Sequence, residues 1–390
     1  MTEHLLIVDD EPDLEIMISH RLRQKVRSGN YVLHFAHNGQ EALDKLSIMP
    51  QISVVITDIS MPIMNGLELL RRINEDHNPA LKVVIATAFG DMDNIRFAMN
   101  NGAIDFITKP IDLNDLEKVI EKTLELIKTI KQGLQAKQQV DTYSRELLTA
   151  KEVQLSMLPK KFPPFADIKQ FDIYGQMNAA ELVGGDFFDF FLINEDKVGF
   201  VIGDVSGKGI PASIFMAVSN TIIRSFGVTD VPTNECLIKS NELLCRISSD
   251  NMFVTVFYGI LNYKTGELRY TNAGHNYPYL ITPDKNNKVI ELNVSSNVML
   301  GVFKDATFNE NVIQLSPDTM VICYTDGVTE AMNKDKQLLG YEALQNFLNY
   351  IPNKDIPQNV TESIFDLVQQ HVNGFEQSDD ITVLTLSYHG

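Results

Sequence analysis

A chain of 390 residues with 33 basic and 51 acidic side chains carries a formal charge of −18. It is too long for one ordinary domain and has the wrong sign for nonspecific nucleic-acid binding. Its 44% hydrophobic and 22% charged residues suit a globular protein with a core and exclude disordered and collagen-like chains. The apolar run Leu5–Val8 is too short for a secretory segment, and no later stretch reaches membrane-span length, so no membrane contact is expected. Cys236, Cys245 and Cys323 form no CxxC pair and are odd in number, which argues against a disulfide framework or zinc knuckle and fits a reducing cytoplasm.

Up to about Ile127, five β-branched-rich runs alternate with helix-length spacers: His4–Val8, Tyr31–Ala36, Ser53–Thr57, Leu81–Ala86 and Ile104–Ile107. That alternation predicts an α/β domain, a parallel sheet wound with helices on both faces, whose functional crevice lies at the carboxyl ends of the strands. From Leu113 to Pro159 the composition predicts one long helix, interrupted only by Gly133. Its apolar positions run Leu116, Val119, Thr123, Leu126 and Ile130, then Val140, Tyr143, Leu147 and Ala150, with a polar break near Lys137. Two readings fit: a coiled coil that pairs two chains into a homodimer, or a solvated connector lying on its own domain. After Pro159, predicted strands at Phe171–Met177, Val198–Val205, Phe253–Leu261 and Glu267–Thr271 alternate with helices at Ile210–Phe226 and Thr233–Ser249. Turns such as Lys264-Thr265-Gly266 suit antiparallel pairing and an α+β or layered sandwich.

Asp9, Asp10 and Asp58 follow the first and third strands, which are neighbours in a flavodoxin-like order. Three carboxylates at one mouth need a cation, and Mg²⁺, which takes oxygen ligands and bridges to phosphate, is the natural one. It would offset the repulsion opposing attack by the Asp58 carboxylate on a phosphoryl donor. Thr87 and Lys109 end the fourth and fifth strands, where a hydroxyl and a positive charge suit the new phosphoryl oxygens.

The segments Leu5-Leu6-Ile7-Val8-Asp9-Asp10-Glu11, Thr57-Asp58-Ile59-Ser60-Met61-Pro62, Ala86-Thr87-Ala88 and Thr108-Lys109-Pro110 resemble, in order and spacing, a response-regulator receiver domain. The resemblance implies a flavodoxin-like (βα)5 fold with Asp58 as phosphoacceptor. It further implies Mg²⁺ held by Asp9, Asp10, Asp58 and the Ser60 backbone carbonyl, and a switch made of Thr87, Phe106 and Lys109.

In the second half, Asp186, Asp204, Asp326 and Asp379 each follow or lie within a strand-like segment and sit beside a glycine or a turn. Hard carboxylates without clustered His or Cys select Mg²⁺ or Mn²⁺ over zinc. Two such ions about 3.5–4 Å apart activate a water for in-line phosphoryl displacement, with no protein nucleophile. Competing motifs fail: Gly203-Asp204-Val205 does not place a glycine two residues before Ser206, as a GxSxG elbow needs, and Gly207-Lys208 is followed by Gly209 rather than Ser or Thr. His275 fits either an acid/base group or a structural histidine at a hairpin end.

Gly184-Gly185-Asp186, Gly203-Asp204-Val205-Ser206-Gly207-Lys208-Gly209, Asn272-Ala273-Gly274-His275, Tyr324-Thr325-Asp326-Gly327-Val328-Thr329-Glu330 and Asp379-Asp380-Ile381-Thr382 occur in the order of the SpoIIE/RsbU-type branch of the protein phosphatase 2C-like (PPM) serine/threonine phosphatases. The lead-in Val153-Gln154-Leu155-Ser156-Met157-Leu158-Pro159 is similar to that branch as well. The resemblance implies a β-sandwich flanked by helices and two Mn²⁺ or Mg²⁺ ions. Asp204 would bridge them, the Val205 carbonyl would bind one, and Asp186, Asp326 and Asp379 would complete the shells, with Asp380 the alternative to Asp379. Animal-type relatives use a histidine where this chain has Ser206 and an arginine for substrate phosphate that has no counterpart here, so leaving-group protonation and phosphate binding are unassigned.

These resemblances divide the chain into a receiver (1–125), a helical linker (126–160) and a phosphatase (161–390). They imply a two-component response regulator. By the same resemblance a cognate sensor histidine kinase would phosphorylate Asp58, and the output domain would dephosphorylate a phosphorylated STAS-type anti-sigma-factor antagonist in a partner-switching pathway. The alternative is a phosphorylation-gated adaptor whose phosphatase-like domain only binds; such a domain should lack one or more metal acids, and this chain keeps all of them. A DNA-binding regulator lacks a recognition-helix module here.

Overall fold

The computed structural model describes residues 2–76, 78–88, 91–248, 252–283, 288–293, 297–351 and 356–390. The chain divides into two compact units, Met1–Tyr143 and Ser144–Gly390.

The first unit runs β1 (Glu3–Val8), α1 (Pro12–Arg21), α2 (Arg23–Arg27), β2 (Tyr31–Ala36), α3 (Gly39–Ile48), β3 (Ile52–Asp58), α4 (Gly66–Glu75), β4 (Lys82–Ala88), α5 (Met92–Asn100) and β5 (Asp105–Lys109), then enters α6 (Leu113–Met157). Its five parallel strands lie in the order β2-β1-β3-β4-β5, so β1 and β3 are neighbours as predicted. Successive side chains of a strand point to opposite faces. Leu5, Ile7, Val54 and Ile56 therefore join one apolar layer with Ile18, Leu116 and Ile120, while Leu6, Val8 and Val55 join another with Leu69, Leu70 and Ile73. Burial on both faces is why these strands read as continuous apolar runs. Strand β3 extends past the predicted Thr57, because Asp58 still pairs in register with Ala86. Along α6, Leu116, Val119, Ile120 and Ile127 are buried in the first unit. Further on, Val140, Tyr143 and Leu148 are exposed.

The second unit contains β6 (Phe171–Asn178), β7 (Phe187–Leu192), β8 (Lys197–Val205), α7 (Gly209–Gly227), α8 (Thr233–Ile247), β9 (Val254–Asn262), β10 (Glu267–Ala273), β11 (Tyr279–Thr282), β12 (Lys288–Glu291), β13 (Asn311–Gln314), β14 (Thr319–Tyr324), α9 (Asp326–Thr329), α10 (Tyr341–Tyr350), α11 (Pro357–Val372) and β15 (Ile381–Tyr388). The two predicted helices are α7 and α8; Ser249, the predicted end of the second, lies outside the described residues. The strands pair antiparallel as β13-β10-β9-β8-β7 and β12-β11-β14-β15-β6. Alternation again sorts the side chains: Val321, Cys323, Leu384 and Leu386 point into the inter-sheet core, while Met320, Ile322, Ile381 and Val383 pack with Leu344, Leu348, Val360 and Ile364 of α10 and α11. The result is a helix–sheet–sheet–helix sandwich, with α7 and α8 on the first sheet. No helix among the described residues is long and apolar enough to cross a membrane.

Gly66 opens α4 against the end of β3, and a Cβ there would collide with the Asp58 backbone carbonyl. Gly66→Ala should cost about 1–3 kcal/mol, as overpacking does, and lower the receiver's melting temperature by several degrees in calorimetry.

Candidate functional site

In the receiver, the parallel topology sets the ends of β1, β3, β4 and β5 side by side. Carboxylate oxygens of Asp9, Asp10 and Asp58 lie within 4.8 Å of one another. Asp9 and Asp58 are buried and Asp10 is exposed. Lys109 Nζ donates to Asp9 Oδ2 and Asp58 Oδ2, each at 2.8 Å. Burial works against the Lys109 charge, but the bonds and charges of the two aspartates outweigh it and raise its pKa. Thr87, level with Thr108 in the β4–β5 ladder, has a buried Oγ1 with no partner among the described residues. An added hydrogen-bond acceptor at the strand-end crevice is the kind of group such an orphaned hydroxyl fits. Ser60 is exposed in the loop after β3, and Phe106 is partly exposed on β5.

In the second unit, Asp204 ends β8 and Asp326 opens α9 directly after β14. Asp186 and Asp379, however, precede β7 and β15 rather than following strands. Antiparallel order explains this departure from the expected pattern, since opposite ends of neighbouring strands share one edge of the sheet. Asp186 is buried, and its Oδ2 accepts from Thr325 Oγ1 and Thr382 Oγ1, each at 2.7 Å. Burial raises its pKa well above the usual range, and the charges of Asp204 and Asp380 add to that. Asp204 is raised too, first by burial and then by Asp326 and Asp379, with a hydrogen bond to Asp186 opposing. Asp326 is pushed up to about 6 by burial, then by Glu330 and Asp379.

These four acids feel one another electrostatically but do not close into one cluster as tight as the receiver's. Ligands on opposite sides of an ion pair about 3.5–4 Å apart have no need to touch. Asp379 and Asp380 differ in use. Asp380 accepts from Ala180 N (2.8 Å), Gly185 N (2.6 Å) and Asp186 N (3.3 Å), which spends its oxygens on the loop ahead of β7. Asp379 is half-exposed and pairs with Lys208 Nζ at 3.3 Å. The Val205 carbonyl faces Gly185, where a Cβ would come within 2.9 Å of it. Among the described residues Lys208 is the only base paired with any of these acids. All-oxygen donors gathered with a single ammonium at their rim are what a hard divalent cation relieves, so the residues present fit Mg²⁺ or Mn²⁺.

Ser206 Oγ accepts from Phe253 N at 3.0 Å, and the His275 ring is instead bonded to Thr255 Oγ1 at 3.0 Å, so the two form no nucleophile–base pair. Burial pushes the His275 pKa down to about 3, leaving the ring neutral at pH 7. Sequence reasoning quoted Gln154, Lys208, Thr325 and Thr382 within motifs without giving them roles. The only signal for the threonines was their place beside Asp326 and two residues after Asp380.

A five-stranded parallel sheet followed by a double-sheet sandwich with an acidic crevice defines a chain that joins a receiver fold to a PP2C-type fold. The Stage II sporulation protein E (SpoIIE) family model matches residues 194–389, half of the chain, and the Response regulator receiver domain model matches residues 5–121. The chain belongs to the SpoIIE family and carries an N-terminal response-regulator receiver. It is 28% identical over 275 residues to Protein IcfG of Synechocystis sp. (strain ATCC 27184 / PCC 6803 / Kazusa), a match covering 62% of this chain and 41% of that one. It is 25% identical over 241 residues to Phosphoserine phosphatase RsbU of Bacillus subtilis (strain 168), covering 62% and 69%. The SiaA-PP2C domain of Pseudomonas aeruginosa superposes with a TM-score of 0.56 at 17% identity, covering 64% of this chain and 98% of that one, which shows a shared PP2C fold.

The raised carboxyls have a measurable consequence. A folded-state pKa above the unfolded value of about 4 favours the fold below that value and loses the contribution as pH rises through the folded pKa. In chelator, the melting temperature should therefore fall from pH 5 to pH 8 through the Asp326 value of about 6. Scanning calorimetry showing equal or greater stability at pH 8 would contradict the assigned charge repulsion.

Proposed function

We propose that this chain is a two-component response regulator whose output is a metal-dependent protein serine/threonine phosphatase. The observation that carries the reading is the crevice of mutually repelling aspartates, the buried Asp186 and the partly buried Asp204 and Asp326, with no cation paired to them among the described residues. The name of the RsbU relative, a phosphoserine phosphatase, supports the same chemistry. The proposed divisions are a receiver over 1–125, a helical linker over 126–160 and a phosphatase over 161–390.

Asp58 is the proposed phosphoacceptor, with Mg²⁺ held by Asp9, Asp10, Asp58 and the Ser60 carbonyl, and with Thr87, Phe106 and Lys109 as the switch. In the output domain, Asp204, Asp186, Asp326, Asp379 and the Val205 carbonyl would hold two Mn²⁺ or Mg²⁺ ions. When bound, the ions supply an activated water and Lewis acidity for in-line displacement at phosphorus. Thr325 and Thr382 fix the Asp186 carboxylate, and Asp380 fixes the loop that carries it. Lys208 Nζ spends one donor on the Ser378 carbonyl and one on Asp379. An ammonium has three donors, so the third is free for a phosphoryl oxygen, which suggests a substrate-phosphate contact in a chain with no arginine assigned to it. The proposed partners are a sensor histidine kinase upstream and a phosphorylated STAS-type anti-sigma-factor antagonist as substrate, with homodimerisation through the linker helix.

Mn²⁺-dependent phosphate release from a phosphoserine protein tests the reading. Asp204→Asn should lose ~100-fold or more, beyond the ~10–100-fold typical of residues that only support a metal ligand; unchanged turnover sinks the metal mechanism and favours the binding-only adaptor. Asp58→Ala should keep basal turnover but lose its response to a small-molecule phosphoryl donor. Lys208→Ala should raise KM about tenfold or more, the worth of one hydrogen bond to a charged group, with kcat less affected.

A further inference from the structure

Gln154 sits in the last turn of α6 and is buried, with 6% of its surface exposed. Its amide grips a single residue from both sides: Nε2 donates to the Gly184 carbonyl, and Oε1 accepts from Gly184 N at 3.1 Å. Gly184 has no room for any other side chain, since a Cβ would collide with Asp380 Oδ2. Two residues on lies Asp186, whose own backbone N–H and that of Gly185 are held by Asp380. The backbone that aims the Asp186 carboxylate is thus clamped by Asp380, next to β15, and by Gln154, on the helix that leads into the domain.

The end of the helix has apolar anchors besides this clamp: Leu158 is buried in the sandwich core and Leu155 packs against it. A buried amide is tolerated there because both its ends are paired. Its pairing is also sensitive to helix register: one residue of movement along an α-helix is ~1.5 Å of rise and about 100° of rotation. Either shift takes the amide out of reach of Gly184. α6 begins among the receiver's buried residues, through Leu116 and Ile120, so it is the chain segment through which a change in the receiver would arrive.

We propose that Gln154 is a positioning residue through which α6 sets the placement of Asp186, and hence couples the state of the receiver to the cation site of the phosphatase. The inference rests on the phosphatase reading above and names the regulation of that same site. It assigns Gln154 no contact with substrate.

The test uses the full chain. Gln154→Leu, close in volume, should fold, bind Mn²⁺ about tenfold more weakly in calorimetric titration, and give the same turnover with and without beryllofluoride on the receiver. Gln154→Glu keeps the acceptor for Gly184 N and loses the donor, so it should fall between wild type and Gln154→Leu. Hydrogen exchange on the wild-type protein gives a readout that needs neither a variant nor turnover: the Gly184 amide should change its protection when beryllofluoride is added. Wild-type Mn²⁺ affinity and an intact beryllofluoride response in Gln154→Leu would overturn the proposal. If that variant does not fold, an unchanged Gly184 exchange rate in the wild type overturns it just as well. Failure of the phosphatase reading would look different: wild type and Asp204→Asn would release phosphate equally slowly, while Mn²⁺ affinity and Gly184 exchange would still report on Gln154.

Discussion

Gathering like charges in one desolvated crevice is the constraint on which the second unit depends. A buried carboxylate that lacks a partner moves its pKa upward until neutralised, and the Asp186, Asp204 and Asp326 shifts all point that way. Such an arrangement persists only where the surrounding structure holds it in place. Here two threonine hydroxyls fix the Asp186 carboxylate, and Asp380 holds three backbone N–H groups of the loop before β7. Two packed sheets with a helical layer outside each supply the rigid frame.

The receiver meets a related problem differently. Its acids also converge at a strand-end crevice, but Lys109 bonds both Asp9 and Asp58, so the cluster carries its own counter-charge. Lys109 holds the Asp58 carboxylate directly, and the buried Thr87 hydroxyl one strand away has no partner among the described residues. Among the described residues, the half-exposed Lys208 is the only base paired with an acid of the second unit's crevice, so little positive charge offsets the repulsion there.

Much of this was legible in the residues. Receiver strands buried on both faces read as continuous apolar runs, so their number followed from composition and their bounds to within one or two residues: Ile52 and Asp58 extend β3, while Leu81 and Ile104 lie just before β4 and β5. The acids of the second unit could be picked out by their motifs, but not their partners. The different contacts of Asp379 and Asp380 depend on which carboxylate the loop before β7 consumes, and that loop lies some two hundred residues earlier in the chain. His275 was ambiguous in sequence because burial, which pushes its pKa down to about 3, is a property of packing and not of its neighbours in the chain.

The sequence by itself determined the two α/β and α+β layouts, the long helix from Leu113, and which aspartates stand in glycine-flanked motifs, because these follow from period, composition and local motif. Only the tertiary structure decided how each acid is used. Antiparallel pairing brought residues that precede strands to the same edge as residues that end them. The clamps on Asp186 come from Gln154, Thr325, Asp380 and Thr382, each far from it along the chain. Hydrogen bonds and burial between distant segments depend on three-dimensional proximity, and no spacing along a single chain encodes that directly.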